Sequence, residues 1–345
     1  MGRVASHWRK EFERRGYEFI HIGTEAAGRI AHPAMFPYAA SSAYKRLRRE
    51  ASVLLVHEPA SGIFTGAGRP TILFSHGLER RAWEMERSTE NQNGNGRRIR
   101  WRTKLLFPLW RLRQCDIGLR NAPRLLLINT QDSEFVRNTY DRTLEDIHIF
   151  KNGVYPSTLD EYTQPVDGIT ALFLGSWLKR KGIHTLIDAA RSLDARNVRI
   201  NWVLAGTGAD RDVVLSSWPE SLRSRVEVIP SFSPDVEESL FARSNLFVLP
   251  SFFEGQPLSL LQAMETGRCC ITTDCCGQRD LIRHSENGLL HQPDDAVQLA
   301  ALIEECGGSE LLRRRLGHAA KQTVEGRSWE SVSCDVVDFV ESKLL

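Results

Sequence analysis

Short apolar segments rich in β-branched residues recur along the whole chain, and stretches with helical periodicity separate them. Five lie in the first half and six in the second: residues 17–23, 51–57, 71–76, 124–130, 146–150, 169–175, 199–206, 226–231, 245–251, 269–274 and 288–293. Buried strands that alternate with helices are typical of parallel sheets joined by crossover helices. The sequence therefore predicts an α/β protein with two Rossmann-like, doubly wound domains.

A turn-rich stretch, residues 151–168, marks the predicted domain boundary. An Asn-Gly pair and two prolines interrupt both periodicities there. A chain of 345 residues is long enough for two domains. We therefore expect a first domain over residues 1–166 and a second over residues 167–345, facing each other across a cleft. The chemistry should lie in loops that follow strands.

The start of the chain does not fit a complete doubly wound domain. Such a domain opens with a strand, a tight glycine turn and a helix, yet residues 5–15 already have a helical pattern. The loss of a central strand would leave its neighbours with unpaired backbone groups. We therefore expect that the first domain lacks its opening strand and that the true start lies upstream. Gly2 is assigned to an acceptor or phosphate loop.

The composition excludes several classes of protein. Apolar residues make up 41% and charged residues 26%, the balance of a globular protein with a sizeable core. No window approaches about 18 uncharged apolar residues, and the N-terminus lacks the apolar run of a signal peptide. Seven cysteines, four of them in two adjacent pairs, suit a reducing compartment and small buried hydrophobes better than disulfides or zinc. We therefore expect a cytoplasmic protein.

The net charge of +2 hides an asymmetry between the two halves. Residues 1–166 contain 26 Lys/Arg and 18 Asp/Glu, whereas the remainder contains 19 and 25. Within the basic half, residues 97–114 carry seven Lys/Arg, no acid, and Trp101, Phe107 and Trp110. This mixture favours peripheral contact with an anionic membrane surface; the alternative is a solvated helix with a buried stripe. No recognition motif accompanies the charge, so nucleic acid is not expected as a partner.

The most informative segment is residues 247–269. A buried strand ends at Pro250, Glu254 and Gly255 form a turn, and a helix begins at about Leu258. An acid after a strand, followed by exposed N–H groups at a helix N-terminus, makes a site for sugar hydroxyls and phosphate. The side chain eight positions beyond the acid lies two turns along and close to the same face.

This segment resembles the Glu-x7-Glu signature of the family 4 retaining glycosyltransferases, enzymes of GT-B fold with two Rossmann-like domains. Three further segments match the family's landmarks in register: LFLGSWLKRKGIHTLIDAA, VLAGTGAD and TTDCCGQRDLIRHSENGLL. In the first half, HGLE (76–79) and KNGV (151–154) match weaker landmarks. The resemblance covers nearly the whole chain and is strongest from residue 167 onward.

The resemblance implies a donor site in the second domain. The residues that it assigns there are Ser176, Arg180, Gly206, Gly208, Gly255, Gln256, Pro257, Leu258 and Gln262. Two positions depart from the family pattern. Gln262 stands where a second glutamate usually contacts the nucleotide ribose, and Ser176 where an arginine usually faces the donor diphosphate. Gly206 and Gly208 are interpreted as a tight turn beneath the nucleotide and not as part of an NAD fingerprint.

The resemblance also implies the catalytic roles. When a nucleotide sugar reacts, negative charge grows on the departing diphosphate and positive charge on the sugar ring. Lys181, with Arg180 and Lys179 as possible substitutes, would stabilise the diphosphate, an effect worth about 3 kcal/mol per well-placed donor. Glu254 would hold the donor sugar through its hydroxyls. We expect neither a metal ion nor a cofactor.

His76 is the third candidate catalytic residue. It ends a buried strand of the first domain, where a lone histidine is often structural, and the resemblance places its loop at the donor sugar or the acceptor. His57 and Glu58, at the end of another strand, are weaker candidates for the same site.

These features lead to one expected function and one alternative. The chain is expected to be a retaining, metal-independent glycosyltransferase, of hexosyltransferase type, that uses a nucleotide-diphosphate sugar. Its acceptor would be a glycan or glycolipid held by the first domain. The alternative is a non-catalytic relative that binds nucleotide sugar or serves as a partner subunit, as Gln262, Ser176 and the missing strand suggest. The base, the sugar and the linkage are not specified by the sequence.

Overall fold

The computed structural model describes residues 2–28, 30, 35–47, 50–65, 70–92, 101–159 and 168–344. The chain divides into two compact units: unit 1 is Met1–Asn152 together with Trp329–Leu345, and unit 2 is Gly153–Ser328. The predicted boundary after residue 166 lies outside the described residues. The last 17 residues, which the sequence analysis assigned to the second domain, are grouped with unit 1.

Unit 1 contains a four-stranded parallel sheet in the order β1-β2-β3-β4. Its strands are β1 (Leu54–His57), β2 (Thr71–Phe74), β3 (Arg124–Leu127) and β4 (Ile147–Ile149). Its helices are α1 (Arg3–Arg14), α2 (Thr24–Ala27), α3 (Phe36–Arg46), α4 (Ser61–Phe64), α5 (Glu79–Gln92), α6 (Trp101–Leu106), α7 (Arg113–Asn121) and α8 (Thr130–Tyr140). A π-helix, Phe107–Leu112, joins α6 to α7.

The predicted strand over residues 17–23 is wrong. This segment follows α1 and a glycine of positive φ, Gly16, and it pairs with no strand among the described residues. Tyr17 and Phe19 instead lay their rings against Phe12 of α1, with centroids 5.9 and 5.7 Å apart. Two aromatic side chains of the segment therefore pack on a helix and do not extend the sheet, a choice that alternation alone does not reveal.

Unit 2 contains a six-stranded parallel sheet in the order β10-β9-β8-β5-β6-β7. Its strands are β5 (Ile169–Leu174), β6 (Ile200–Ala205), β7 (Val226–Ile229), β8 (Leu246–Leu249), β9 (Cys269–Thr273) and β10 (Leu289–His291). Its helices are α9 (Ile183–Ala195), α10 (Arg211–Ser216), α11 (Pro234–Ala242), α12 (Leu258–Glu265), α13 (Cys276–Leu281), α14 (Ala296–Gly308) and α15 (Glu310–Val324). Ten of the eleven predicted strands, four in unit 1 and six here, are thus confirmed.

The last helix, α16 (Trp329–Leu344), packs on α1, which is why it belongs to unit 1. The Arg15 guanidinium forms ion pairs with Asp338 at 2.7 Å and with Glu341 at 2.6 Å. The His7 ring stacks on the Trp329 indole with centroids 4.5 Å apart. Contacts between residues more than 300 positions apart therefore hold this helix in place.

None of the helices described is long and apolar enough to cross a membrane.

The strand order of unit 2 reverses at β5, which pairs with β6 on one side and with β8 on the other. In open parallel sheets, ligands bind beyond the carboxyl ends of the strands at such a switch point. The loops that follow β5 and β8 therefore mark the first place to look for a site in unit 2.

Candidate functional site

The loops after β5 and β8 pack directly against each other. The Phe252 backbone N–H donates to the Arg180 carbonyl at 2.9 Å. Gly182, at the start of α9, has a φ of +70°, and a Cβ there would lie 1.9 Å from the Pro250 carbonyl oxygen. Only glycine satisfies both conditions, so the Lys-Gly step of the sequence lets the two loops meet.

Lys181 and Glu254, both expected to contact the donor, are brought together there. The Lys181 ammonium donates a hydrogen bond to Glu254 Oε1, and Arg180 Nη1 lies 3.9 Å from the same oxygen. The side chains of Lys181 and Glu254 are only 12% and 10% exposed. A carboxylate and an ammonium group are thus held almost out of water at the switch point of the sheet.

The stem of Lys181 lies along the backbone at Gly175, the first residue after β5. A Cβ at Gly175 would be 3.7 Å from Lys181 Cε, which is ordinary van der Waals contact. Lys181 precedes the N-terminus of α9, where the helix dipole disfavours a cation. The carboxylate of Glu254 offsets that cost.

The turn after Glu254 is fixed from two sides. Gly277 of α13 donates its N–H to the Glu254 carbonyl at 3.1 Å, and a Cβ at Gly277 would overlap the Gly255 carbonyl oxygen. Arg327 donates to Gln256 Oε1, and burial lowers the pKa of Arg327 to about 10. The backbone of the turn is therefore held in place before any ligand binds.

The N-terminus of α12 follows this turn, as predicted. Pro257 is its N-cap residue and has no side-chain acceptor, so no side chain at the cap competes for the first N–H groups of the helix. Leu258, the first residue of the helix, is only partly buried. These groups are suitable donors to an anionic ligand.

The predicted tight turn after β6 is confirmed. Gly206 and Gly208 have φ values of +67° and +62°. The turn is joined to the β5 loop by a hydrogen bond from the Trp177 N–H to the Thr207 carbonyl, 2.7 Å long. Ser176, the other assigned residue of the β5 loop, is exposed beside it.

Gln262 is engaged with the backbone of another segment. Its Nε2 donates to the Tyr155 carbonyl at 3.0 Å, and its Oε1 accepts from the Tyr155 N–H at 3.3 Å. Tyr155 lies in the connector, which we define as residues 153–159. The sequence carries no signal for this partner, which lies 107 positions away.

The expectation of a metal-free site relied on the absence of an Asp-x-Asp triplet, and this premise is wrong, because the chain carries Asp210-Arg211-Asp212. Asp210 is the N-cap residue of α10, and both carboxylates are exposed. Within the described ranges, no group of three His, Cys, Asp or Glu side chains is placed to hold a metal ion. The seven cysteines are all free, and six are buried, in line with their interpretation as small hydrophobes.

In unit 1, His76 follows β2 and lies in a cluster of rings. Its centroid is 5.7 Å from that of His57, 5.6 Å from those of Phe74 and Phe150, and 6.4 Å from that of Trp8. Burial lowers the pKa of His57 to about 3 and that of His76 to about 4, so both rings are neutral at pH 7. His76 nevertheless keeps an exposed surface.

Glu58, ranked low from the sequence, supports the loop that carries His76. Its fully buried carboxylate accepts from Ser75 Oγ at 2.7 Å and from the Glu79 N–H at 3.2 Å. Burial raises the pKa of Glu58 to about 8. Buried Asp132 accepts from the next N–H, that of Leu78, at 3.3 Å. Two acidic side chains thus occupy the N-terminus of α5, which is therefore not open to a phosphate.

Gly2 is the N-cap residue of α1, and its carbonyl accepts from the Ser6 N–H at 3.0 Å. Its assignment to an acceptor or phosphate loop stays a prediction.

Residues 97–100 of the predicted membrane-contact segment lie outside the described residues. The rest of the segment has both a buried stripe and exposed apolar side chains. Phe107 stacks on Trp83 with centroids 4.6 Å apart, so part of the segment faces the core. Leu105, Leu109 and Trp110 are 54%, 54% and 43% exposed, and we call these three residues the apolar patch.

Comparison with known proteins gives the same interpretation of fold and family. Residues 156–323 match the family model of the glycosyl transferases group 1. An uncharacterized glycosyltransferase, MJ1178, of Methanocaldococcus jannaschii is 28% identical over 199 residues, covering 57% of this chain and 54% of that protein. The chain thus spans about half the length of this curated relative.

Two solved structures share the fold. WaaG, a glycosyltransferase involved in lipopolysaccharide biosynthesis, superposes with a TM-score of 0.75 at 16% identity, covering 98% of this chain and 95% of that one. HepE of Anabaena, in complex with UDP and glucose, gives a TM-score of 0.64 at 15% identity, with 92% and 84% covered. The fold of this chain is therefore GT-B.

Proposed function

We propose that this chain, which over residues 156–323 belongs to the glycosyl transferases group 1, transfers a sugar from a nucleotide-diphosphate sugar to a glycan or glycolipid. The observation that carries the proposal is the Lys181–Glu254 pair at the switch point of the unit 2 sheet. A buried ammonium and a buried carboxylate between two loops match the two charges that develop when a glycosyl diphosphate reacts.

Lys181 is proposed to bind the donor diphosphate, together with Arg180 and the N-terminal N–H groups of α12. Its charge is paired with that of Glu254. A diphosphate offers Lys181 a stronger partner, which releases the Glu254 carboxylate to accept hydrogen bonds from the donor sugar's hydroxyls. Binding of the donor diphosphate is thereby coupled to release of the Glu254 carboxylate from Lys181.

The nucleoside is proposed to lie over the turn that contains Gly206 and Gly208, beside Ser176. Backbone without Cβ atoms allows close approach of a flat or charged group. HepE, which shares the fold, is described in complex with UDP and glucose, which supports a nucleotide-sugar donor.

We propose transfer with retention and without a metal ion. The bond between the anomeric carbon and the diphosphate oxygen breaks, and its electron pair stays on that oxygen. A new C–O bond forms to the acceptor hydroxyl on the same face, and the hydroxyl proton passes to the departing phosphate. Lys181 and the α12 N–H groups stabilise the charge that this step places on the phosphate.

The acceptor is proposed to bind at the carboxyl end of the unit 1 sheet, beside His76. The exposed ring of His76, beside the partly buried ring of His57, gives an uncharged surface suited to the apolar face of a sugar ring. A neutral imidazole at His76 can accept a hydrogen bond from a sugar hydroxyl, which a protonated one cannot.

The proposal is tested with a panel of UDP-, GDP- and ADP-sugars, with nucleotide release as the readout and glycan or lipid-linked glycan as acceptor. Glu254→Ala and Lys181→Ala should each abolish transfer. Arg191→Ala is the matched control, because Arg191 is an exposed cation of α9, two turns beyond the loop, and should retain activity. The anomeric configuration of the product, read by NMR, tests retention.

Two results would contradict the proposal. Tight nucleotide-sugar binding by the wild type without turnover, even with an acceptor, would favour the non-catalytic relative. Full activity in Glu254→Ala would show that the pair is structural.

We also propose that the protein is cytoplasmic and that the apolar patch contacts the cytoplasmic face of an anionic membrane. Exposed Lys104 and Arg113 flank the patch, and the segment contains no acid, which complements anionic headgroups. Leu109→Ser should lower binding to phosphatidylglycerol vesicles about tenfold, because one leucine side chain no longer leaves water. Leu311→Ser, at a still more exposed leucine of unit 2, is the control, and equal losses in both variants would refute the proposal.

A further inference from the structure

The connector is fastened to unit 2 by a series of hydrogen bonds. The Val154 N–H donates to the Arg327 carbonyl at 2.9 Å. The Ser157 N–H donates to Glu265 Oε1 at 3.4 Å, and Ser157 Oγ donates to Glu238 at 2.7 Å. The Thr158 N–H also donates to Glu238, at 2.7 Å. Between these contacts lies Tyr155, whose N–H and carbonyl are both bound by Gln262.

The register of the connector matches that of α12. In an extended chain, the N–H groups of residues two apart, here Tyr155 and Ser157, point to the same side about 6.5 Å apart. On a helix, side chains three apart, here Gln262 and Glu265, are about 5–6 Å apart. The two spacings agree, so one face of α12 can receive both N–H groups at once.

An amide is the side chain that suits Tyr155. Gln262 uses its carbonyl oxygen for the Tyr155 N–H and an Nε2–H for the Tyr155 carbonyl. A glutamate could accept from the N–H but would place its second oxygen against the carbonyl. Holding a ribose diol with both ends of the amide would break both bonds to the connector.

We propose that Gln262 is a positioning residue that fastens the connector to α12, and that it is not the ribose ligand of the donor site. The second half of this statement rests on the proposed function. The same helix carries the donor-facing N-terminus at Leu258, so the connector bonds fix the helix on which that end of the site depends.

The two roles predict opposite effects of Gln262→Glu. As a ribose ligand, the new carboxylate would form charge-assisted hydrogen bonds to the diol and tighten UDP binding about tenfold or more. If Gln262 fastens the connector, the glutamate in its place loses the hydrogen bond to the Tyr155 carbonyl, and UDP affinity does not rise. The variant's melting temperature should then fall.

The pH dependence of the melting temperature of Gln262→Glu is a further test, because contact with a ribose would not affect it. A protonated carboxyl can donate to the Tyr155 carbonyl, so the pKa of the new glutamate should be raised in the folded state. Its stabilisation is then present below the ordinary glutamate pKa and is lost as the pH rises through the folded value. The deficit in melting temperature against wild type should be larger at pH 7 than at pH 4.5.

Amide hydrogen exchange of the full chain tests the bonds between Gln262 and the connector without any nucleotide. Gln262→Leu should lower the protection of the Tyr155 N–H about fivefold, the factor for one lost hydrogen bond. Glu238→Gln, which weakens the neighbouring contact, should lower protection at Thr158. Unchanged protection at Tyr155 in Gln262→Leu, or tighter UDP binding by Gln262→Glu, would overturn the inference. If the wild type binds no nucleotide, amide exchange still shows whether Gln262 fastens the connector to α12, and only the proposed function fails.

Discussion

Replacing Glu58 with glutamine should remove a pH dependence of stability that the wild-type protein carries. The Glu58 side chain is fully buried, and its pKa is raised from 4.5 to about 8, chiefly because burial strips water from the charged form. Glutamine has nearly the same shape and stays neutral. It can accept from the Glu79 N–H and donate to Ser75 Oγ, so both local contacts can be kept.

The sign follows from which state binds more protons. Because the folded pKa is raised, the folded protein keeps a proton that the unfolded chain releases above about pH 4.5. The stabilisation from this proton is complete below that pH and is lost as the pH rises to about 8. At about 1.4 kcal/mol per pH unit, the wild type should lose about 3 kcal/mol relative to Glu58→Gln by pH 7. The loss should reach about 5 kcal/mol at pH 8 and above.

The assay is urea unfolding of wild type and variant at pH 5, 6, 7 and 8. The difference in unfolding free energy should grow steadily with pH, with Glu58→Gln the more stable at the upper end. Glu134→Gln, at an exposed glutamate of α8, is the matched control and should show no such trend. A difference between Glu58→Gln and wild type that does not change with pH would refute the argument that Glu58 is held neutral.

Four further predictions concern unit 2, the contact of α16 with α1, and the metal dependence of transfer. Lys181→Met should lower the unfolding free energy by about 3 kcal/mol, because it leaves the Glu254 carboxylate buried without its ammonium partner; an unchanged urea midpoint would argue against a buried pair. Gly182→Ala should cost at least about 2 kcal/mol, whereas Gly208→Ala, at a similar φ but in open space, should cost only the strain of a left-handed residue, about 1 kcal/mol. Equal costs in urea unfolding would contradict the close packing at Gly182. Arg15→Ala should raise amide exchange along α16, since it removes two ion pairs to that helix; unchanged exchange would show that apolar contacts alone hold it. Addition of EDTA should leave sugar transfer unchanged, and lost activity that Mg²⁺ or Mn²⁺ restores would contradict the metal-free proposal.

The positions of strands and of the loops that follow them were determined by the sequence. Ten apolar runs became parallel strands, because a strand covered on both faces must be apolar throughout its length. The contact between Lys181 and Glu254 was also predictable, since loops after neighbouring parallel strands meet at one edge of the sheet. In each case the information lies within one short segment or in the general geometry of a sheet.

What only the tertiary structure decided involves partners far apart in the chain. Residues 17–23 have the pattern of a strand but cover α1, and α16 returns to unit 1 through Arg15. Glu58 is held neutral beneath the His76 loop, and Gln262 bonds Tyr155, 107 positions away. A local pattern reports how much of a segment is buried. It does not report which distant surface buries it, and that choice is made by the packing of the whole chain.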